Sequence, residues 1–523
     1  MEFLQENLLS VIIFWPLVAA LFIFLLPDDE ESLIRRLSFV LSLVPLALTL
    51  FLWFDWAANY RALPGFHFET ILPWFPAIGS SYHVGIDGIS LALILLTVIL
   101  TPLSILASFN IEERVKMFMV LFLFLETGML GLFASLDLLI FFVFWEIGLV
   151  PMYFLIRLWG GADREYASFK FFIYTMAGSL GLLLSIQIIG LAAGTFDIPL
   201  LMEQWVPLTE GVLPGTGLPV DLVKTVAYVL FVIAFAIKVP VWPFHTWLPD
   251  AHTQAPTAGS MILAGVLLKL GAYGFIRLVI PLFPEEAYIT AGVLAVFGML
   301  SIVFGGFAAY GQWDFKRLVA YSSINHMGFV VLGIAVMAAV YGFEFAQGVA
   351  LPAGHAYSRD AIIATSGAVF QMFNHGLSAA GMFFLVGVVY DRTHTRDLKR
   401  YSGLWSVLPA FGAILIFTSM ASLGLPGLNG FVSEFMIVRG AWGVFPVVVA
   451  LSMLGLLMTG AYILKGIGQT LHGPLLPEWR GLKDMTLREH LVIWPLMALM
   501  LSLGVWPQWL VAIINDTVSR IFG

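Results

Sequence analysis

The chain has 523 residues, of which 60% are hydrophobic and 11% charged, with a formal net charge of −8 and no cysteine. No long polar stretch remains to form a soluble domain, and the scattered acidic balance offers no nucleic-acid patch. Without cysteine the chain holds no disulfide, no thiolate zinc site and no cysteine-ligated iron–sulfur cluster.

A membrane-crossing helix needs about 20 apolar residues. Hydropathy places fourteen such runs, near 8–26, 34–54, 84–108, 116–134, 137–157, 167–194, 222–247, 255–280, 286–309, 317–341, 361–390, 404–440, 443–468 and 490–513. The first follows Glu2 and Glu6, not basic residues, so it reads as a span and not as a cleavable leader. The expected fold is an all-α polytopic membrane protein in a single membrane domain. Two runs carry breaks. In 222–247, AIKVPVWP sets Lys238 two residues before Pro240; in 404–440, LGLPGLNG interrupts a run too long for one straight helix. Seventeen Lys and Arg residues fall in loops on one side, six on the other, and only Lys238 and Lys269 lie inside spans. The richer side is then cytoplasmic, with both termini on the outer side of the cell's inner (plasma) membrane. The longer loops 55–83, 195–221 and 342–360 all fall outside, are rich in Gly and Pro, and none is large enough for a domain.

The two breaks are five spans apart. Five is odd, so a copy displaced by five spans is inverted, and broken helices in inverted repeats mark transporters. This divides the chain into N-terminal helices 1–110, five-helix repeats 111–282 and 283–470, and a C-terminal helix 471–523.

Five ionisable residues stand inside apolar runs: Glu126 in LFLFLETGMLG, Glu146 in LLIFFVFWEIGLVPMYF, Lys238, Lys269 in SMILAGVLLKLGAYGFIRL, and Glu434 in GFVSEFMIV. A lysine at a bilayer centre costs about 2.5–3.5 kcal/mol on insertion scales. Three readings compete: snorkelling to the lipid edge, a static ion pair pinning two helices, or a proton relay. Burial favours the neutral form of either residue type and a nearby opposite charge reverses this, so such a group is a switchable proton site. Lysine can release its proton, whereas arginine cannot. Four histidines, His245, His252, His326 and His375, could bridge the gaps; a membrane histidine is as often a hydrogen-bonding core residue. No HExxH motif, CxxCH, P-loop or nucleophile elbow is present, so neither metal nor nucleotide chemistry is expected.

HVGIDGIS (83–90), FWEIGLVPMY (144–153), KVPVWPFHTWLPDAHTQAPTAGS (238–260), LLKLGAYG (267–274), YSSINHMG (321–328) and LGLPGLNGFVSEF (423–435) resemble the antiporter-like membrane subunits of respiratory complex I. The likeness spans nearly the whole chain. It is nearest the M-type branch, because Glu434 stands where L- and N-type subunits carry lysine and because the chain stops soon after the last span. The resemblance implies a non-redox, proton-pumping part of an NADH (or ferredoxin):quinone oxidoreductase. Glu146 would couple to neighbouring subunits, Lys238 would be its partner, Lys269 the central relay and Glu434 the outlet-side acid. His326 and His375 would lie on the hydrated axis, with His245 and Glu126 as further relay members. Flavin, iron–sulfur clusters and quinone are expected in other subunits and none in this chain. The expected partners are L-type and N-type neighbours and lipid, not nucleic acid. The same family includes subunits of multi-subunit sodium/proton antiporters and membrane-bound hydrogenases, which remain the alternative.

Overall fold

In a bilayer every backbone group must be bonded within its own segment, so long apolar runs become helices. The computed structural model describes residues 7–208, 210–213, 217–348, 351 and 355–522. Its helices are α1 (Leu8–Phe24), α2 (Glu31–Asp55), α3 (Gly88–Ala107), α4 (Val115–Ala134), α5 (Leu138–Ile147), α6 (Val150–Trp159), α7 (Arg164–Ala193), α8 (Ile198–Gln204), α9 (Val220–Lys238) and α10 (Trp247–Gln254). The continuous helical stretch Thr257–Leu282 is α11. Then follow α12 (Pro284–Gly311), α13 (Phe315–Gln347), α14 (Ala356–Thr393), α15 (Pro409–Leu423), α16 (Asn429–Trp442), α17 (Pro446–Leu471), α18 (Leu487–Val505) and α19 (Gln508–Ile521). Among the described residues, twelve helical stretches are long and apolar enough to cross a membrane. The expected runs 8–26 and 404–440 are carried by shorter apolar helices, α1 and the α15–α16 pair.

The helices form a shell around a few that see no lipid. The most apolar windows of α11 and α14 are buried throughout, and that of α3 is nearly so, while α12, α17 and α18 turn most of theirs outward. The inner helices therefore carry whatever polar chemistry the fold protects.

Three features depart from the expected layout. The outer loop 55–83 is not wholly irregular, because β1 (His67–Phe75) pairs antiparallel with β2 (Ser80–Ile86). A slight irregularity separates α5 from α6 at Gly148–Leu149, after Ile147, within the single span-length stretch Leu138–Trp159. α11 relaxes to π-helical geometry at Leu263–Leu267 and Phe275–Val279, on either side of Lys269. Such π segments concentrate at functional positions.

The break after Lys238 is chemically complete. α9 stops there, and Pro240 and Pro243 keep the chain non-helical until α10. The Trp247 indole donates to the Ile237 carbonyl at 2.8 Å, and the Trp242 amide donates to Ser301 Oγ at 2.9 Å. Groups freed by the prolines thus find side-chain partners, as membrane depth requires. At the second break Gly424 closes α15 at φ +83, a left-handed conformation glycine adopts without penalty.

Candidate functional site

Lys269 lies at the middle of α11, between the two π segments. Its side chain runs back along the helix and donates to the Ala264 carbonyl, while its Nζ stands 2.7 Å from His375 Nδ1 on α14. A charged ammonium has only donors, so His375 Nδ1 then accepts and its ring proton sits on Nε2. That nitrogen is buried with no partner. No carboxylate contacts Lys269 among the described residues.

The chain of groups continues. The His375 and His326 ring centroids are 5.7 Å apart. His326 Nδ1 lies 2.8 Å from Glu434 Oε1, and its Nε2 lies 3.2 Å from the Tyr462 hydroxyl. With Nδ1 donating to the carboxylate, Nε2 accepts from the phenol. Gln371 Nε2 also donates to Glu434 Oε1, at 3.1 Å. Lys269, His375, His326 and Glu434 are all buried: His326 and Glu434 are about 5% exposed and Lys269 wholly enclosed. A charge in such a place needs partners that satisfy it in either protonation state, and bidirectional imidazoles supply them.

The second break sets Glu434 against His326. Asn374 Nδ2 donates to the Asn429 carbonyl (2.8 Å) and to Ser433 Oγ (2.9 Å), and Asn429 Nδ2 returns a bond to the Asn374 carbonyl (3.2 Å). This clasp joins α14 to the first turn of α16. It fixes His375 and Glu434 relative to one another, since each lies within a few residues of it.

Glu146 acts electrostatically on Lys238, but without a direct contact. The Lys238 ammonium sits over the Trp145 indole, 4.9 Å from its centroid, and the two ionisable residues form no ion pair among the described residues. Trp145 is held by donating to Ser179 Oγ at 3.0 Å. Glu146 is only half-buried, and its Oε1 has no hydrogen-bond partner. α5 ends just past it, at Gly148.

Two further expected members stand apart from the central chain. Glu126 is wholly buried on α4, with Thr101 nearby, but neither carboxyl oxygen reaches hydrogen-bond geometry. His245, in the non-helical segment after Lys238, packs its ring 6.3 Å from that of Tyr321 and leaves Nδ1 unbonded. Tyr462, Gln371, Trp145 and the Asn374–Asn429 clasp escaped the sequence reading. None carries a charge in an apolar run, so hydropathy gives no signal.

Comparison with known proteins places the arrangement. Residues 135–356 and 348–459 match the family described as NADH:quinone oxidoreductase/Mrp antiporter, transmembrane, and residues 33–133 match the amino terminus of NADH-ubiquinone oxidoreductase chain 4. The chain is 38% identical over 519 residues to NADH-quinone oxidoreductase subunit M of Rhodobacter capsulatus, covering 99% of this chain and 96% of that one. It superposes on a chain of respiratory complex I from Thermus thermophilus with bound NADH, with a TM-score of 0.82, 28% identity, and coverage of 98% and 100%. A chain of the Mrp complex from Dietzia sp. shares the fold at a TM-score of 0.80 and 18% identity, covering 98% of each. The chain therefore belongs to the NADH:quinone oxidoreductase/Mrp antiporter family, in its subunit M branch.

Proposed function

We propose that this chain is a proton-translocating membrane subunit of a complex I-type NADH:quinone oxidoreductase, with Lys269, His375, His326 and Glu434 as its relay. The observation that carries the reading is a line of buried proton-exchanging groups: 2.7 Å from Lys269 to His375, two tilted imidazoles with centroids 5.7 Å apart and no hydrogen bond between them, and 2.8 Å from His326 to Glu434. Each neighbour can hold the proton the previous one gives up.

The half-buried Glu146 is the input. A charge change at a neighbouring subunit acts on it, draws Lys238 from the Trp145 indole, and alters the field at Lys269. Withdrawal of the Lys238 charge favours a protonated Lys269; the return of the Lys238 ammonium disfavours that second charge and drives the Lys269 proton to His375, from which it passes to His326 and Glu434. Moving one charge across 100 mV takes about 2.3 kcal/mol, a sum that a pKa swing of under two units supplies. The redox groups belong to other subunits, and the arginine- and lysine-rich side faces the cytoplasm.

Glu434→Gln tests this. The amide keeps the size and a hydrogen bond to His326 but cannot carry a proton. Electron transfer should continue while protons pumped per electron pair fall. An unchanged ratio in an assembled complex would refute the relay.

A further inference from the structure

His326 has no nitrogen to spare. Its Nδ1 is engaged with Glu434 Oε1 at 2.8 Å and its Nε2 with the Tyr462 hydroxyl at 3.2 Å. Across the 5.7 Å between ring centroids, His375 Nε2 is buried with no partner. An unmet donor thus stands beside a ring whose acceptor nitrogen is already taken. Glu434 is the onward partner of His326. The bond to Tyr462 is therefore the one that must open before His375 can pass a proton on.

Tyr462 is placed to open it. The residue is wholly buried on α17, a helix that turns most of its surface outward. The register that brings its phenol to His326 is fixed one residue away. Asn325 Nδ2 donates to the Ile302 carbonyl of α12 at 2.6 Å, and Asn325 Oδ1 accepts from Thr459 Oγ1 of α17 at 3.0 Å. Gly455 permits the approach, since a Cβ there would lie 2.5 Å from the Ile302 carbonyl oxygen. Thr459 is one turn before Tyr462, and Ser322 one turn before His326, so both hydroxyls lie beside the phenol. Thr459 gives its proton to Asn325, and Ser322 gives its own to the Val319 carbonyl at 2.7 Å, which leaves acceptor lone pairs on both oxygens. The phenol hydrogen can turn from His326 to either of them without movement of the ring.

We propose that the Tyr462 hydroxyl is the valve of this relay, a two-position rotor that decides when His326 can take a proton. Closed, the phenol donates to His326 Nε2. Open, its hydrogen points to Ser322 or Thr459 and the Nε2 lone pair is exposed. The transfer then balances without a co-reactant. As the His375 Nε2–H bond breaks, an N–H bond forms at His326 Nε2, and the Lys269 proton replaces the lost one at His375 Nδ1. The His326 imidazolium gives its Nδ1 proton to the Glu434 carboxylate. Lys269 ends as a neutral amine and Glu434 as a neutral acid. His326 keeps a hydrogen on Nε2, which the open phenol accepts through its oxygen. No proton passes through Tyr462, so it is a positioning residue. This inference rests on the reading of His326 and Glu434 as relay members.

The test follows protons pumped per electron pair by the intact complex in sealed vesicles, in the first turnovers and again as the gradient builds. Tyr462→Phe keeps the ring and removes the rotor, so His326 stays open. Its ratio should fall progressively below that of the unaltered complex as the gradient builds and protons slip back. Ser322→Ala removes one open position and biases the phenol toward His326. Its ratio should be lower from the first turnovers, with no added loss under load. A merely structural phenol would make Tyr462→Phe lower the ratio equally at every load. That result, or an unaltered ratio throughout in either variant, overturns the valve. So does a Tyr462→Phe complex that fails to assemble, because it makes the hydroxyl a structural group. Glu434→Gln separates the two readings. If it keeps the full ratio, the relay itself falls; if it is impaired while Tyr462→Phe is not, only the valve does.

Discussion

His375 Nδ1 meets Lys269 Nζ at 2.7 Å across 106 residues of sequence, joining α11 to α14 at the centre of the protein. Lys269 thus contacts an imidazole, and no acid contacts it among the described residues. This separates charge from proton transfer in a testable way. Lys269→Arg keeps the positive charge and much of the length but cannot deprotonate. A structural cation would be replaced with little loss. A relay would not, so Lys269→Arg should assemble and pump no better than Lys269→Met, as read from the proton-to-electron ratio in vesicles.

Lys238 lies over Trp145, with Glu146 on the next residue, and on the proposed mechanism it moves between the two. An ammonium–carboxylate contact is worth about 4 kcal/mol at an effective dielectric of 20. A desolvated cation–π contact is worth about 2 kcal/mol. The difference is small enough for an incoming charge to decide the position. Trp145→Leu removes the indole site and should shift Lys238 toward Glu146 by roughly 30-fold in population, the equivalent of about 2 kcal/mol. The expected result is an assembled complex with impaired pumping, and a Lys238 side chain beside Glu146 in a structure of the variant. Lys238 left where it is would exclude the movement.

Ionisable residues inside apolar runs are costly enough to be visible in a bare sequence, which is why Lys238, Lys269 and Glu434 could be named before any fold was known. Which of them meet was not legible. His375 faces Lys269, and Lys238 faces an indole, because of how α9, α11 and α14 pack, and periodicity carries no record of that. The prolines of both expected breaks were plain, yet the irregularity after Ile147 was hidden. Gly148 and Pro151 lie in a stretch whose hydropathy never dips, and Pro151 sits harmlessly in the first turn of α6. The hairpin β1–β2 read as loop because its short strands gain order from their neighbours: Leu136 N donates to the His83 carbonyl and Phe196 N to that of Gly79.

That hairpin yields a pH prediction. His83 is buried with Nδ1 2.6 Å from Asp197 and Nε2 2.9 Å from Glu69, so both ring nitrogens face carboxylates. Burial opposes its charged form, but hydrogen bonds and charge from Asp197 and then Glu69 outweigh this and raise its pKa above 6.5. A raised folded-state value means the protonated histidine stabilises the fold. That contribution is complete below the unfolded value of about 6.5 and is lost as pH climbs through the folded one. Amides of 67–86 should exchange faster with deuterium as pH rises, beyond the intrinsic increase, and His83→Gln should abolish the excess. A profile unchanged by the substitution would show that the histidine does not latch the hairpin.

Gly271 is where the relay helix touches the broken one. A Cβ built there would lie 2.9 Å from the Phe235 carbonyl oxygen and 3.0 Å from Lys238 Cβ, so α9 and α11 pack backbone to backbone two residues from Lys269. The backbone oxygen cannot swing aside as a flexible side chain could. Gly271→Ala should therefore force the helices apart, at a cost of about 1–3 kcal/mol typical of overpacking, and carry Lys238 away from Trp145 with α9. Because both lysines keep their chemistry, the expected phenotype is a less heat-stable complex whose pumping ratio also drops. Gly292, by contrast, has open space around its Cβ position. Gly292→Ala is thus the matched control, since it adds the same methyl group to a membrane helix without the clash. Equal behaviour of the two variants, in melting temperature and in proton-to-electron ratio, would show that the α9–α11 contact does not position the lysines.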